Sequence, residues 1–256
     1  MTINEKILNC EIEYQKCFCE AHEIENAVRF TDSALLDMYY HNFTLIKGSG
    51  CDDEFHRFIE GEVAHRRGFD FCNIVSFVPI SKWVIEKFDN APQIAVNGLY
   101  VLDFDAYLKP MVKEGCTIVK MSNEKMADER LRLDIEESGE TIGIDFCTRR
   151  ANRRKKVYLS DTGVDAYICY DKGEVVGSCD LFISNGVAKI EDFAVSPAKQ
   201  RQGYGSAMLN QIVETAQNGG ATTIYLMAYE DDTAKEMYLK NGFKKIDEKI
   251  DLFFKF

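Results

Sequence analysis

Apolar and polar positions follow the clearest pattern after residue 164. VDAYICY (164–170) and EVVGSCDLFIS (174–184) are β-rich runs separated by the turn DKG, and VAKIEDFAV (187–195) follows the turn NG. They predict an antiparallel meander of three strands. Met208, Leu209, Ile212, Val213 and Ala216 then form one apolar stripe, on a helix that starts near Gly203 and stops at Gly219-Gly220. ATTIYLMAY (221–229) reads as a buried strand. DDTAKEMYLKN (231–241) reads as a short helix that opens on acids and closes at Gly242, and FKKIDEKIDLFFKF (243–256) as one or two strands. With a strand at 116–122 and helices near 123–137 and 144–158, the order predicts an α/β domain of helices packed on a mixed sheet, from about residue 114 to the end.

The first 110 residues hold a related pattern. YHNFTLIK reads as strand, DDEFHRFIEGEVAHRRG as helix, FDFCNIVSF as strand, SKWVIEKFDN as helix and QIAVNGLYVLD as strand. Counted from Asp53, later elements start at Phe71, Ser81 and Gln93, and the same offsets from Tyr204 reach Thr222, Asp232 and Lys244. This spacing suggests a diverged internal repeat. DFDAYLKPMVKEG (103–115), where a proline and charges interrupt the apolar pattern, is the expected linker, which divides the chain into domains at 1–112 and 113–256.

Composition narrows the partners. Forty-two acids against 31 Lys and Arg give a net charge of −11, which disfavours broad attraction to nucleic acid or anionic lipid. The basic run Arg149, Arg150, Arg153, Arg154, Lys155, Lys156 reads as a solvated helix face. There is no 18-residue apolar stretch, and the opening MTINEKILNCEIEYQ carries acids where a leader needs an apolar core, so a cytoplasmic protein is expected. Nine scattered cysteines, several within apolar runs (Cys72, Cys169, Cys179), suit reduced thiols. Cys17 and Cys19 lack a second pair at zinc spacing, His22, His41, His56 and His65 form no ligand pattern, and no metal is expected.

The chemistry concentrates in SPAKQRQGYGSAML (196–209). A strand end, a glycine-rich turn and a helix start create a row of unpaired N–H groups at the positive end of a helix dipole. Gly203 and Gly205 let oxygen atoms approach the main chain, while Gln200 and Arg201 add donors. A pyrophosphate suits such a site. A Walker loop needs Gly-Lys-Ser/Thr and a dinucleotide fingerprint needs G-x-G-x-x-G after the first strand of a βαβ unit; neither is present.

Q-x-x-G-x-G after DFAVSP, together with TAKEMYLKNGF downstream, resembles the acyl-CoA pyrophosphate loop and following helix of the GCN5-related N-acetyltransferase (GNAT) family, over the C-terminal half. The resemblance implies the acyl-CoA N-acyltransferase fold with an N-terminal GNAT-like domain. It implies acetyl-CoA as acyl donor and transfer to a primary amine by direct attack in a ternary complex. Phe193, Ala194 and Val195 would pair with the pantetheine amides, and Gln200, Arg201, Gln202, Gly203, Tyr204, Gly205 and Ser206 would surround the pyrophosphate. Tyr238 matches the family's general acid for the leaving thiolate. The incoming amine, with a pKa of about 10 if it resembles lysine, must lose a proton. Glu191 is the candidate base, with Asp192 or water as alternatives, since strand alternation would send the two acids to opposite faces. Asp231 stands where the family often has asparagine, which puts that cofactor contact in doubt.

The N-terminal half has IKGSGCDD at the equivalent place, with two acids that would repel phosphate. It looks like a degenerate repeat whose use is structural or to wall an acceptor pocket, with Tyr39, Tyr40, Phe43 and Trp83 as candidate lining or as core. The acceptor, a small-molecule or protein amine, is not readable, and neither is the oligomeric state; no nucleic-acid or membrane partner is expected. The rival reading is a catalytically silent acyl-CoA-binding regulatory protein.

Overall fold

The computed structural model describes residues 2–109, 113–231 and 234–256. In chain order it contains α1 (Ile3–Lys16), β1 (Glu20–Ile24), β2 (Ala27–Thr31), β3 (Thr44–Ile46), α2 (Asp52–His65), β4 (Phe71–Ser76), α3 (Lys82–Glu86) and β5 (Gln93–Leu102). There follow β6 (Cys116–Lys120), α4 (Glu124–Ile142), α5 (Ile144–Tyr158), β7 (Val164–Asp171), β8 (Glu174–Ser184), β9 (Val187–Val195), α6 (Tyr204–Asn218), β10 (Thr223–Tyr229), α7 (Ala234–Lys240) and β11 (Phe243–Lys255). The architecture is mixed α/β. The part of the expected linker at 110–112, next to the expected division at 112/113, and residues 232–233 of the expected short helix lie outside the described residues.

The chain forms two compact units, residues 1–17, 100–227 and 233–244 in one, and residues 18–99, 228–232 and 245–256 in the other. Neither unit is a continuous segment: α1 belongs with the C-terminal elements, and most of β11 with the N-terminal ones.

In the first unit β6, β7, β8 and β9 are antiparallel neighbours, and β10 joins β9 in parallel. Odd positions of β8 face α6: a Cβ at Gly177 would meet Met208 Sδ at 2.6 Å, and one at Gly219 would meet Ile183 at 2.6 Å. Even positions face α1, α4 and α5, where Phe182 meets Tyr14 edge-on and Asp180 meets Arg130 and Arg154. The α6 stripe is buried as its spacing predicts: Met208, Leu209, Ile212, Val213 and Ala216 are all fully enclosed. Helix α1 is an addition to the predicted elements. It is set by a capping box, in which Glu5 N–H donates to Thr2 Oγ1 at 3.2 Å and Thr2 N–H donates to Glu5 Oε2 at 2.7 Å.

In the second unit β1, β2 and β3 are antiparallel, β3 and β4 are parallel, and the C-terminal part of β11 runs antiparallel to β4. Ile59, Ile74, Val84, Leu252 and Phe254 form the core under α2 and α3. The β1–β2 hairpin, unpredicted, turns on Asn26 with φ of 58°. The expected strand 40–47 shrinks to Thr44–Ile46, because Asn42 Nδ2 donates to the carbonyls of Leu35 and Met38 at 2.9 Å and holds the preceding residues in turns. Phe43 is core, packed on Phe30, whereas Trp83 is 42 % exposed beneath Lys87.

Candidate active site

Strand β9 is kinked at its acidic pair. The β8–β9 register runs Leu181↔Ile190 and Asp180↔Glu191, then resumes at Ser178↔Ala194, which leaves an extra residue on β9. Asp192 takes φ of 52°, so it is the bulged residue. This corrects the simple alternation expected for Glu191 and Asp192: Lys189 and Glu191 share the α1 face, and the bulge interrupts the period before Ala194.

A buried ion-pair cluster holds the bulge. Asp180, with no exposure, accepts from Arg130 Nη1 (2.6 Å), Arg154 Nη2 (2.9 Å) and the Tyr158 hydroxyl (2.7 Å). The same two guanidinia donate to Asp192 Oδ2 at 2.6 Å each. The Asp192 side chain is 42 % exposed at the edge of the cluster; partial desolvation works against its ionisation, but Arg154 and Arg130 outweigh it and hold the carboxyl well below the usual range. Such a carboxylate is a poor proton acceptor. These contacts also correct the reading of the basic run as a solvated face, because Arg154 is buried in this cluster and Arg150 pairs with Asp134.

Beyond the bulge β9 parts from β10. Their parallel pairing covers Val187↔Thr223 to Ile190↔Leu226 and goes no further among the described residues, while Ala194 and Val195 remain paired to β8 on the other side. Phe193–Val195 therefore present one strand edge that β10 does not occupy. The edge runs directly into the loop before α6. Gln200 Nε2 reaches back to the Val195 carbonyl at 3.2 Å, Arg201 (φ of 58°) and Gly203 (φ of 92°) turn the chain, and Gly203 is the exposed N-cap.

Among the described residues no side chain caps α6, and its first turn carries no acid. The first N–H with a helical partner is that of Ala207, bonded to the Gly203 carbonyl at 3.1 Å. The N–H groups of Tyr204, Gly205 and Ser206 meet no acceptor among the described residues, so the positive end of the dipole is left for an anion. Gly205 has a packing reason as well: a Cβ there would meet Met237 Sδ at 3.0 Å. The Tyr204 ring is buried, and its hydroxyl donates to Asp171 Oδ2 at 2.7 Å, a bond that pushes the phenol up to about 12. Tyr204 can thus offer the loop its backbone N–H, not its hydroxyl. Gln202 Nε2 is turned onto the Ala198 carbonyl, and Lys113 Nζ donates to the Gln202 carbonyl at 2.7 Å. Lys113, unread in the sequence, so adds a cation beside the loop.

Tyr238 is buried on α7, with its ring edge-on to Phe193 (6.1 Å between centroids) and to Phe243 (6.0 Å). The tyrosine of one motif thus touches the strand that carries the other. Glu191, 38 % exposed, accepts from Lys189 Nζ at 2.8 Å; Lys189 is itself buried and shared with Glu11. On the α4 side of β9 a pocket is lined by Leu133, Asp134, Glu137, Ser178, Asp192 and Ala194, together with Arg130. Glu137 stands exposed at the rim, where partial desolvation, then the nearby Asp192 and Asp134 charges, push its carboxyl up. Nothing in the helical pattern of α4 distinguishes Glu137 from its solvated neighbours, so the sequence carries no signal for it. Asp231 is exposed in the turn after β10.

Residues 128–243 match the model of the acetyltransferase (GNAT) family. The uncharacterized N-acetyltransferase CgeE of Bacillus subtilis (strain 168) is 32% identical over 111 residues, 41% of this chain and 42% of that protein. The chain thus spans less than half the length of this curated relative. A conserved protein of unknown function from Staphylococcus epidermidis ATCC 12228 shares the fold with a TM-score of 0.76 at 19% identity, over 93% of this chain and 94% of its own. A GCN5-related N-acetyltransferase from Kribbella flavida does so with a TM-score of 0.68 at 16% identity, over 99% and 96%. At such identities the likeness concerns the fold, which these proteins share over nearly the whole of this chain. Residues 128–243 are therefore a domain of the acetyltransferase (GNAT) family, and the fold of that family extends through the N-terminal half as a GNAT-like repeat.

Proposed function

We propose that the chain transfers an acetyl group from acetyl-CoA to a primary amine within a ternary complex. The observation that carries this reading is the freed edge of β9 running straight into an uncapped helix N-terminus, one site for amides and the next for a diphosphate. The main chain of Phe193, Ala194 and Val195 holds the pantetheine amides. Gln200, Arg201, Gln202, Gly203 and the N–H groups of Tyr204, Gly205 and Ser206 hold the pyrophosphate, with Lys113 beside them. Bound there, the donor supplies an activated thioester, and the protein's task is to orient the amine against it and manage two protons.

Tyr238 gives its hydroxyl proton to the departing thiolate. Of the two acids on β9, Glu191 takes the ammonium proton, since Asp192 is held ionised by two guanidinia. Glu137 is a second candidate, favoured by its raised carboxyl and by the pocket it shares with Ala194.

Titration calorimetry of the full chain with acetyl-CoA and desulfo-CoA tests the donor site, followed by CoA-release assays on a panel of polyamines, aminoglycosides, amino acids and peptide N-termini. Saturable binding to the wild type is expected; no heat at millimolar ligand removes the reading. Tyr238→Phe should lower kcat roughly 100-fold or more while the KM for acetyl-CoA stays within a few-fold. Glu191→Gln and Glu137→Gln separate the two bases, because only the true base loses the acid limb of the pH profile. Tight binding without turnover on any amine points instead to a silent acyl-CoA-binding regulator.

A further inference from the structure

All nine cysteines are free thiols, and two of them touch: Cys116 Sγ and Cys169 Sγ lie 2.8 Å apart. They sit on adjacent antiparallel strands, with Cys116 opposite Asp171 and Ile118 opposite Cys169, so both thiols project from the same face of the β6–β7 pair. Cys116 is partly exposed at the start of β6, and Cys169 is fully buried. The N-terminus of α6 lies on this face. Tyr204 bonds Asp171, two residues from Cys169, and Lys113, three residues before Cys116, lies over the Tyr204 ring at 4.2 Å.

We infer that Cys116 and Cys169 form a redox site that takes a hydroperoxide and closes to a disulfide tying β6 to β7 beneath α6. Cys116, the thiol that solvent reaches, attacks the peroxide as the thiolate; the O–O bond breaks, hydroxide leaves, and a sulfenic acid forms on Cys116. The Cys169 sulfur then attacks the Cys116 sulfur, the S–O bond breaks, and the thiol proton leaves with the hydroxyl as water. Two thiols and one hydrogen peroxide thus give one disulfide and two waters, with the sulfurs oxidised by two electrons and the peroxide reduced by two; a dithiol reverses it. Burial pushes the Cys169 thiol up, which keeps it protonated and unreactive toward the peroxide itself, so that Cys116 is the sulfur oxidised first. From the observed contact, closure needs the sulfurs to approach by less than about 1 Å.

The test treats the full chain with stoichiometric hydrogen peroxide, blocks remaining thiols with iodoacetamide, digests without reductant and reads peptides by mass spectrometry. A peptide pair joined through Cys116 and Cys169, two hydrogens lighter than the free peptides and split by dithiothreitol, is expected. Exposed Cys51, whose thiol is hydrogen-bonded to Glu54 at the start of α2, provides a free thiol for comparison. Because the bridge closes a long loop, the oxidised chain should melt roughly 5–15 °C higher. Cys116→Ser should abolish both the joined peptides and the shift. Recovery of both cysteines as alkylated monomers overturns the inference, as does Cys116 over-oxidation at the same rate in wild type and Cys169→Ala. If Cys169→Ala fails to fold, the variant at the partly exposed position, Cys116→Ser, still decides the outcome.

Discussion

The strand-to-helix junctions β9–α6 and β3–α2 hold equivalent places in two units with the same local order, and their helix ends are finished in opposite ways. Each junction joins a strand to a helix and then to a parallel neighbour, β10 or β4, whose first residue comes 19 positions after the start of the helix (Tyr204 to Thr223, Asp52 to Phe71). At α2 the first turn is Asp52, Asp53 and Glu54, and Glu54 Oε2 accepts from Cys51 N–H at 2.9 Å, so the helix satisfies its own positive end. At α6 there is no acid and no side-chain cap. The comparison teaches that topology alone does not make an anion site. What matters is whether the sequence fills the helix end itself.

The largest effect is expected where that distinction is erased. Ser206→Asp puts a carboxylate in the first turn of α6, as in α2. An acid there favours the isolated helix by about 0.3–1 kcal/mol, so the Tm of the free protein should hold or rise. Against a bound diphosphate the same charge costs roughly 1–4 kcal/mol at contact distance, a loss of about five- to several-hundred-fold in acetyl-CoA affinity. This variant separates the two effects better than a substitution at Gly203, whose φ of 92° strains any side chain. Unchanged affinity by calorimetry would mean that the α6 end is not the phosphate site.

The second contrast is between the strands. β3 pairs with β4 through to Ile46↔Ser76, whereas β9 leaves β10 at the Asp192 bulge. If the arginine clamp builds that departure, Asp192→Asn should weaken acetyl-CoA binding several-fold and change the response to acid. A carboxyl held below its unfolded value is more ionised in the fold than in the unfolded chain. Its stabilisation is full above about pH 4, the unfolded carboxylate range, and disappears as pH falls through the folded value. Asp134, pushed up chiefly by burial, acts in the opposite sense: its contribution is full at low pH and lost as pH rises through its folded value. Urea midpoints measured from about pH 5.5 to 3 should therefore fall less steeply in Asp192→Asn than in the wild type. Equal slopes would show that the clamp does not depend on that charge.

What the sequence made visible and what it hid follow from the range of the forces involved. Helix α6, its buried stripe and the loop before it are local: period, glycines and a missing acid are all readable within residues 200–218. The bulge is not, because alternation assumes an unbroken ladder and Asp192 leaves it through contacts with α4 and α5, dozens of residues away. Arg154 looked like one member of a solvated basic face because helix-surface cations and buried cations share the same residue types. A signal was nevertheless present in GSCDLF: an acid inside an apolar strand run requires buried cations, and Asp180 finds Arg130 and Arg154. Lys189 in VAKIED carries the same message and is answered by Glu11 on α1, a helix whose Thr2–Glu5 capping box was also legible.

The smallest expected effect asks whether charge alone separates the two junctions. Asp53→Asn with Glu54→Gln strips two acids from α2 and leaves Asp52 to accept from the Ser81 hydroxyl at 2.8 Å. An amide oxygen at position 54 can still accept from the Cys51 N–H, so the Tm should fall only slightly, by what the two negative charges contribute at the helix N-terminus. Acetyl-CoA affinity, measured with Ser206→Asp in the same chain to weaken α6, should stay at the level of Ser206→Asp alone. A neutralised α2 would no longer repel a phosphate, yet β3 stays zipped to β4 through its last residue and offers no strand edge for the pantetheine arm. If such a chain bound acetyl-CoA as tightly as the wild type, charge would be the whole difference and the splayed strand would be dispensable. If it bound only inorganic pyrophosphate, and weakly, the helix end and the strand edge would be shown to contribute separately, with the bulge at Asp192 supplying what neutralising α2 cannot.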